Sequence, residues 1–274
     1  MGVFYESIPP SLIQWIPKQN WVATAPLSGS GHVNVSPKGG KYFGVVNERT
    51  FYYLDLSGSG NETISHLLEP GNGRITIQLN EFEHAAPKIV RLWGHGRVLE
   101  RDTTEFNTFV KSQDLYSMLE ALPGHRSVIV VDIHQVGSSC GFSVPYMDFK
   151  SFRTTLNDFY ANKDKKFKAG NEKESMDHYW AYKNAWSMDG LPGLPRATIA
   201  AKRESIVPIK KMVGPRATQQ YVCRNGMAPS MVLVIAMLAF LLGIMVALHA
   251  DYLLSLAQNI IPEALKNAVV QGKA

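Results

Sequence analysis

Between residues 20 and 137, six short runs alternate apolar and polar side chains or are dense in β-branched ones. They are Trp21–Ala25, His32–Ser36, Phe51–Leu56, Arg74–Leu79, Ile89–Leu99 and Ser127–Val136, each bounded by Gly, Pro, Asn or Ser. A period of two places alternate side chains on opposite faces of a sheet, and the short connections favour antiparallel neighbours. Six such runs predict a mainly β fold, an antiparallel sheet closed into a barrel, with flanking helices. Helical spacing marks Pro9–Ile16, Asn61–Leu68 with Asn61 as cap, Thr103–Leu119, Arg153–Phe159 and Glu174–Trp186.

The 45% apolar and 19% charged content excludes a disordered chain. Cys140 and Cys223 support neither a disulfide framework nor a cysteine zinc site, and Cys140 reads as a buried packing residue. The eight histidines show neither H-x-H nor H-E-x-x-H spacing, which favours scattered structural roles over a metal site.

The net charge of +5 is unevenly placed. Residues 1–200 carry 20 basic and 20 acidic groups, whereas 201–230 carry six basic groups, from Lys202 to Arg224, against Glu204. Without a basic-aromatic strip in the globular part, nucleic acid is not an expected partner.

The basic stretch precedes Met231–Leu248, eighteen residues with no polar side chain. As a helix that run is about 27 Å long, close to a thin bilayer core, so the sequence predicts a transmembrane helix at 231–248. The flanking charges predict a single-pass membrane location with the N-terminal domain cytosolic, in a thin membrane such as the endoplasmic reticulum. The basic 202–224 stretch would then meet membrane lipid.

Two loops could hold an anion. Leu27–Gly31 reads LSGSG, and the same five letters recur at Leu56–Gly60, where the order strand, loop, helix offers Ser57, Asn61 and Thr63 as donors. The Gly-Lys-Ser/Thr ending of a P-loop is missing. The second is Ser36-Pro37-Lys38-Gly39, with a hydroxyl and a full positive charge at a strand end.

The pieces WVATAPLSGSGHVNVSPKG, YLDLSGSGNETISHL, RLWGHGRV, SVIVVDIHQVGSSCGFSVP and HYWAYKNAWSMDGLPGLP follow in order across residues 5–195. Together they resemble the pyridoxamine 5′-phosphate oxidase-related family, the FMN-binding split barrels, in a fungal branch. The resemblance implies a six-stranded split barrel, a homodimer and FMN between subunits. It implies a cofactor phosphate held by Ser36, Lys38, Ser57, Asn61 and Thr63, with Trp186 over the flavin ring.

The Arg-Lys pair and the Arg-x-His element of the vitamin-processing oxidases are absent here, so true pyridoxamine 5′-phosphate oxidase activity is not expected. The expected organisation is a split-barrel domain at 1–150, a helical extension at 151–200, a basic linker at 201–230, the span at 231–248 and a tail at 249–274. The expected function is that of a membrane-tethered FMN-dependent oxidoreductase of unassigned substrate. The alternatives are a non-catalytic binding or scaffold module, or a binder of haem or deazaflavin.

Overall fold

The computed structural model describes residues 2–26, 31–207, 229–249 and 252. The chain divides into two units, Met1–Gln220 and Tyr221–Ala274. Among its described residues the first holds an antiparallel sheet of eight strands: β1 Val3–Tyr5, β2 Trp21–Pro26, β3 Ser36–Gly39, β4 Phe43–Asn47, β5 Thr50–Leu56, β6 Arg74–Glu81, β7 Lys88–Glu100 and β8 His125–Cys140. Their order is β3-β2-β6-β7-β8-β5-β4, with β1 added on β8.

Eight strands replace the expected six, and the difference has local causes. β1 is three residues long and wholly exposed, so it carries no alternation to read. β4 and β5 form a tight hairpin in which Phe43 opposes Tyr53. The strand expected at His32–Ser36 begins only at Ser36. Val33 and Val35, whose alternation suggested it, are exposed at 63% and 65%. Pro37 is tolerated because β3 is an edge strand, where no ladder hydrogen bond is demanded of it.

β8 is covered on both faces, and its alternation sorts two cores. Ile129, Val131 and Ile133 face the main core with Val22, Phe51, Ile77 and Leu92. Val128 and Val130 face a second core built on α3 (Thr104–Ser112) and α4 (Tyr116–Glu120). The single helix expected at Thr103–Leu119 is broken at Asp114, which takes a left-handed φ of 51°. Thr103 caps α3 by accepting from the Phe106 N–H.

Two helices, α1 (Pro10–Trp15) and α2 (Glu62–Leu68), pack on the main core from the barrel side. Beyond the sheet come α5 (Thr155–Lys168), α6 (Met176–Lys183) and α7 (Pro195–Arg203), the last unforeseen because a GLPGLP run precedes it. Trp180, Ala181, Leu194, Ala197 and Ala200 join the same core as the barrel residues. Cys140 ends β8 and is exposed, correcting its expected burial.

In the second unit, Pro229–Leu248 forms α8. Among the described residues, however, no helix is long and apolar enough to cross a membrane. This overturns the transmembrane helix expected at 231–248 and, with it, the single-pass membrane location. Residues 208–228, which hold Lys210, Lys211, Arg216 and Arg224 of the basic linker, lie outside the described residues, as does nearly all of the 249–274 tail.

His125 opens β8 as a buried, neutral imidazole. It is stacked at 5.9 Å on Phe106 and its Nδ1–H donates to the Leu122 carbonyl at 2.6 Å. Burial, with the Arg101 charge adding, pushes its pKa down to about 4. The unfolded chain takes up this proton near pH 6.5 and the folded chain refuses it until about 4, so folded stability is lost as pH falls across that window. We expect about 3 kcal/mol of acid destabilisation from this residue. Chemical denaturation between pH 7 and 4 should show it, and His125→Phe should flatten that part of the profile.

Candidate functional site

The sheet curls until its edge strand β3 comes against β5, and the contact is made by charge. Ser36 and Lys38 share one half-buried face of β3. The Lys38 ammonium lies 3.4 Å from Asp55 Oδ1 and 6.0 Å from the centre of the Tyr53 ring. Arg126, at the start of β8, donates through Nε to Asp55 Oδ2 at 2.6 Å and through Nη1 to the Gly60 carbonyl at 3.0 Å. Asp55 is fully buried. Burial alone would raise its pKa, but the Arg126 and Lys38 charges outweigh that and hold the carboxyl below the usual carboxylate range.

The turn after Asp55 is the second Gly-Ser copy, and the C-terminal extension covers it. Trp180 Nε1–H donates to Ser57 Oγ at 2.7 Å, and Arg196 lies over the Trp180 ring at 5.5 Å. The Asn184 amide donates to the carbonyls of Gly58 at 2.9 Å and Gly60 at 3.5 Å. Gly193 packs against Asn61 and the Asn184 backbone so closely that a Cβ there would overlap both.

Two of the expected donors of this turn, Ser57 and Asn61, are thus engaged internally. Ser57, Asn61 and Thr63 are all buried. The Asn61 side chain donates to Ser65 Oγ at 3.0 Å, and its backbone N–H donates to Glu62 Oε2 at 2.9 Å. Glu62 Oε1 accepts from the Met188 N–H at 3.4 Å. Its carboxylate turns inward and occupies the start of α2, the position an external anion would take. Trp186 packs against the main core and bridges Pro192. Ser36 and Lys38 therefore stand together at the sheet edge, whereas the other four residues lie in the covered turn or beside it.

A cluster that the sequence did not announce lies beside this turn. Asp189 is buried between two imidazoles, with Oδ1 2.6 Å from His32 Nδ1 and Oδ2 2.9 Å from His66 Nε2. The His32 backbone N–H also points at this carboxylate. His66 is fully buried, while His32 is partly open. Burial raises the Asp189 pKa, and the hydrogen bonds from His32 and His66 more than reverse it. Gly31 is forced by the same contact, since a Cβ there would sit 2.5 Å from the Asp189 carboxyl.

Each copy of the five-letter repeat leads into this cluster, through His32 after the first and His66 after the second. Residues 27–30 of the first copy lie outside the described residues. The repeat itself was the available signal; its shared partner, 120 or more residues away, was not readable. Among the described residues, no group of three or more His, Cys, Asp or Glu side chains is arranged to hold a metal ion.

No family model matches the chain. A relative does. Over 206 residues the chain is 36% identical to the pyridoxamine 5′-phosphate oxidase family protein ustO of Aspergillus flavus, an alignment that covers 72% of this chain and 80% of that protein. The chain belongs to the pyridoxamine 5′-phosphate oxidase family. Among solved structures it is similar to HupZ of Group A Streptococcus, with a TM-score of 0.37 and 16% identity over 52% of this chain and 99% of that one. It is also similar to an FMN-binding protein of Syntrophomonas wolfei, with a TM-score of 0.34 and 11% identity over 46% of this chain and 81% of that one. A third likeness is to HutZ, the haem storage protein of Vibrio cholerae, with a TM-score of 0.34 and 16% identity over 49% of this chain and 96% of that one.

Replacing Asp55 should show its weight in this site. Asp55→Asn leaves Arg126 buried without its counter-charge, and we expect a loss of about 3 to 5 kcal/mol in urea denaturation. Because the Asp55 pKa is depressed on folding, its contribution is present above the usual carboxylate range and lost as pH falls below about 4. The variant should lack that portion of the acid-induced loss.

Proposed function

We propose that this family member binds a flavin mononucleotide and serves as an oxidoreductase, with the cofactor phosphate seated at the β3 edge. The observation that carries this reading is the cluster of Lys38, Asp55 and Arg126. Two cations share one carboxylate, and Lys38 keeps 22% of its side chain in the open with Ser36 on the same face. The donor chemistry fits a phosphate, which favours an ammonium and a hydroxyl with no free carboxylate nearby. When bound, the flavin supplies acceptance and return of two electrons, which no side chain here can do.

The chain's own groups have distinct tasks in this reading. Lys38 and Ser36 hold the phosphate. Asp55 fixes the position of Lys38, and Arg126 ties Asp55 to the Gly60 carbonyl so that strand and turn move as one. Trp180 and Asn184 keep water out of the turn by occupying its hydroxyl and carbonyls. Missing oxidase arginines leave the second substrate unassigned and argue against pyridoxamine 5′-phosphate itself.

A second reading, a binding or scaffold module without flavin, is favoured by a different observation. Glu62 places its own carboxylate at the start of α2, Ser57 and Asn61 are buried and engaged, and Thr63 is buried.

We also propose a homodimer. It is supported by the exposed run Phe142, Tyr146 and Phe152 together with Phe4 on β1, an apolar surface that a monomer would leave wet. Sedimentation of the full chain should give a dimer, and a Phe142→Asp, Tyr146→Asp double variant a monomer.

Absorbance of the purified full-length protein, before and after saturation with FMN and gel filtration, separates the two main readings. Flavin bands that survive filtration and are released by heat support the first; a colourless protein supports the second. For the first, Lys38→Ala should weaken FMN retention about tenfold or more, the value of one lost charge-assisted contact. A melting curve would separate that effect from unfolding.

A further inference from the structure

We propose that a second small-molecule site lies on the outer face of the barrel, built for a neutral, planar heteroaromatic compound with a lactam or amide edge. A cavity of about 550 Å³ opens there between the end of α1, the start of β2, the β6–β7 hairpin and the segment 147–151. That volume is in the range that encloses drug-sized ligands. It is separate from the phosphate position. Trp21 opposes Gly39 and Val22 opposes Lys38 in the β2–β3 ladder, and successive residues of a strand point to opposite faces. Trp21 lines the cavity and Lys38 does not.

Four aromatic rings line it: Trp15, Trp21, Phe82 and Phe149. Trp15 is fixed in place, its Nε1–H donating to Glu81 Oε2 at 2.7 Å and one ring face covered by Lys88 at 5.4 Å. A wall already immobilised loses little entropy when a flat ligand stacks on it.

The polar groups of the cavity define the edge of that ligand. Gln19 and Asn80 line it and are both more than nine-tenths buried. Gln19 spends its NH2 on the Trp15 carbonyl at 3.1 Å, and Asn80 spends its carbonyl on the Gln78 amide at 3.2 Å. Among the described residues, this leaves the Gln19 carbonyl as a free acceptor and the Asn80 NH2 as a free donor. A lactam edge, with N–H beside C=O, answers both. The rim carries Lys18 and Lys150 against Glu83 and Asp148, all exposed. Glu81 also lines the cavity, but its Oε2 is spent on the Trp15 Nε1–H and its Oε1 lies 3.8 Å from His84 Nε2, so no unpartnered charge selects an ion. A neutral ligand follows.

The test uses the full chain with 2-quinolone as probe and 1-methyl-2-quinolone, which lacks the N–H, as its control. Tryptophan emission and saturation-transfer NMR report binding. The expected result is saturable binding of 2-quinolone, about tenfold weaker binding of the N-methyl compound, and a similar loss in Asn80→Asp. That substitution keeps the shape and the bond from Gln78 but removes the free donor. Equal affinity of the two quinolones, unchanged affinity in Asn80→Asp, or no saturable binding would each overturn the assignment. The flavin reading is untouched by any of these outcomes, because the probe carries no phosphate and Lys38 lies on the other face.

Discussion

A single buried carboxylate holds together the parts on which this protein's chemistry depends. Asp55 sits where the curled sheet brings its edge strand against β5, and it is reached by Lys38 from β3 and by Arg126 from β8. An unpaired charge in that position would cost several kcal/mol, so the two cations are required partners. The arrangement fixes the shape of the sheet through side chains at a place where no backbone ladder runs. It also leaves one positive charge in excess at the edge, where a phosphate can be met.

From this joint the rest of the covered turn follows. Arg126 binds the Gly60 carbonyl, Asn184 binds the Gly58 and Gly60 carbonyls, and Trp180 binds Ser57. Each of these bonds is made across at least 60 residues of sequence. The turn is therefore held by the C-terminal extension and the strand start, and its own serines and glycines supply only small size and free backbone. That explains how a segment with the composition of an anion loop can have its hydroxyls turned to internal use.

The sequence carried the sheet well wherever alternation had a buried face to report. Val128 to Ile133 sorts into two cores in strict alternation, and Arg74–Leu79 and Ile89–Leu99 fall inside their strands. It failed where alternation had no such face, as at Val33 and Val35, or where an element was too short, as at β1. Lys38 was readable as a cation at a strand end. Its partner Asp55 was not, because an acidic residue inside an apolar strand gives no hint of which cation will reach it. His32, Asp189 and His66 were invisible for the same reason: no local spacing relates residues so far apart. The apolar run at 231–248 was read from its length, its composition and its basic flank, and among the described residues no helix is long and apolar enough to cross a membrane.

The shared core of barrel and extension sets the smallest piece of this chain that can stand by itself. Trp180, Leu194 and the alanines of α7 fill the same interior as Ile64, Leu67 and Val131. A product ended near residue 150 would open that interior to solvent, strip the cover from Ser57 and leave His66 facing water without its carboxylate. Autonomy belongs to the whole stretch through α7, and shorter expression products would be expected to aggregate.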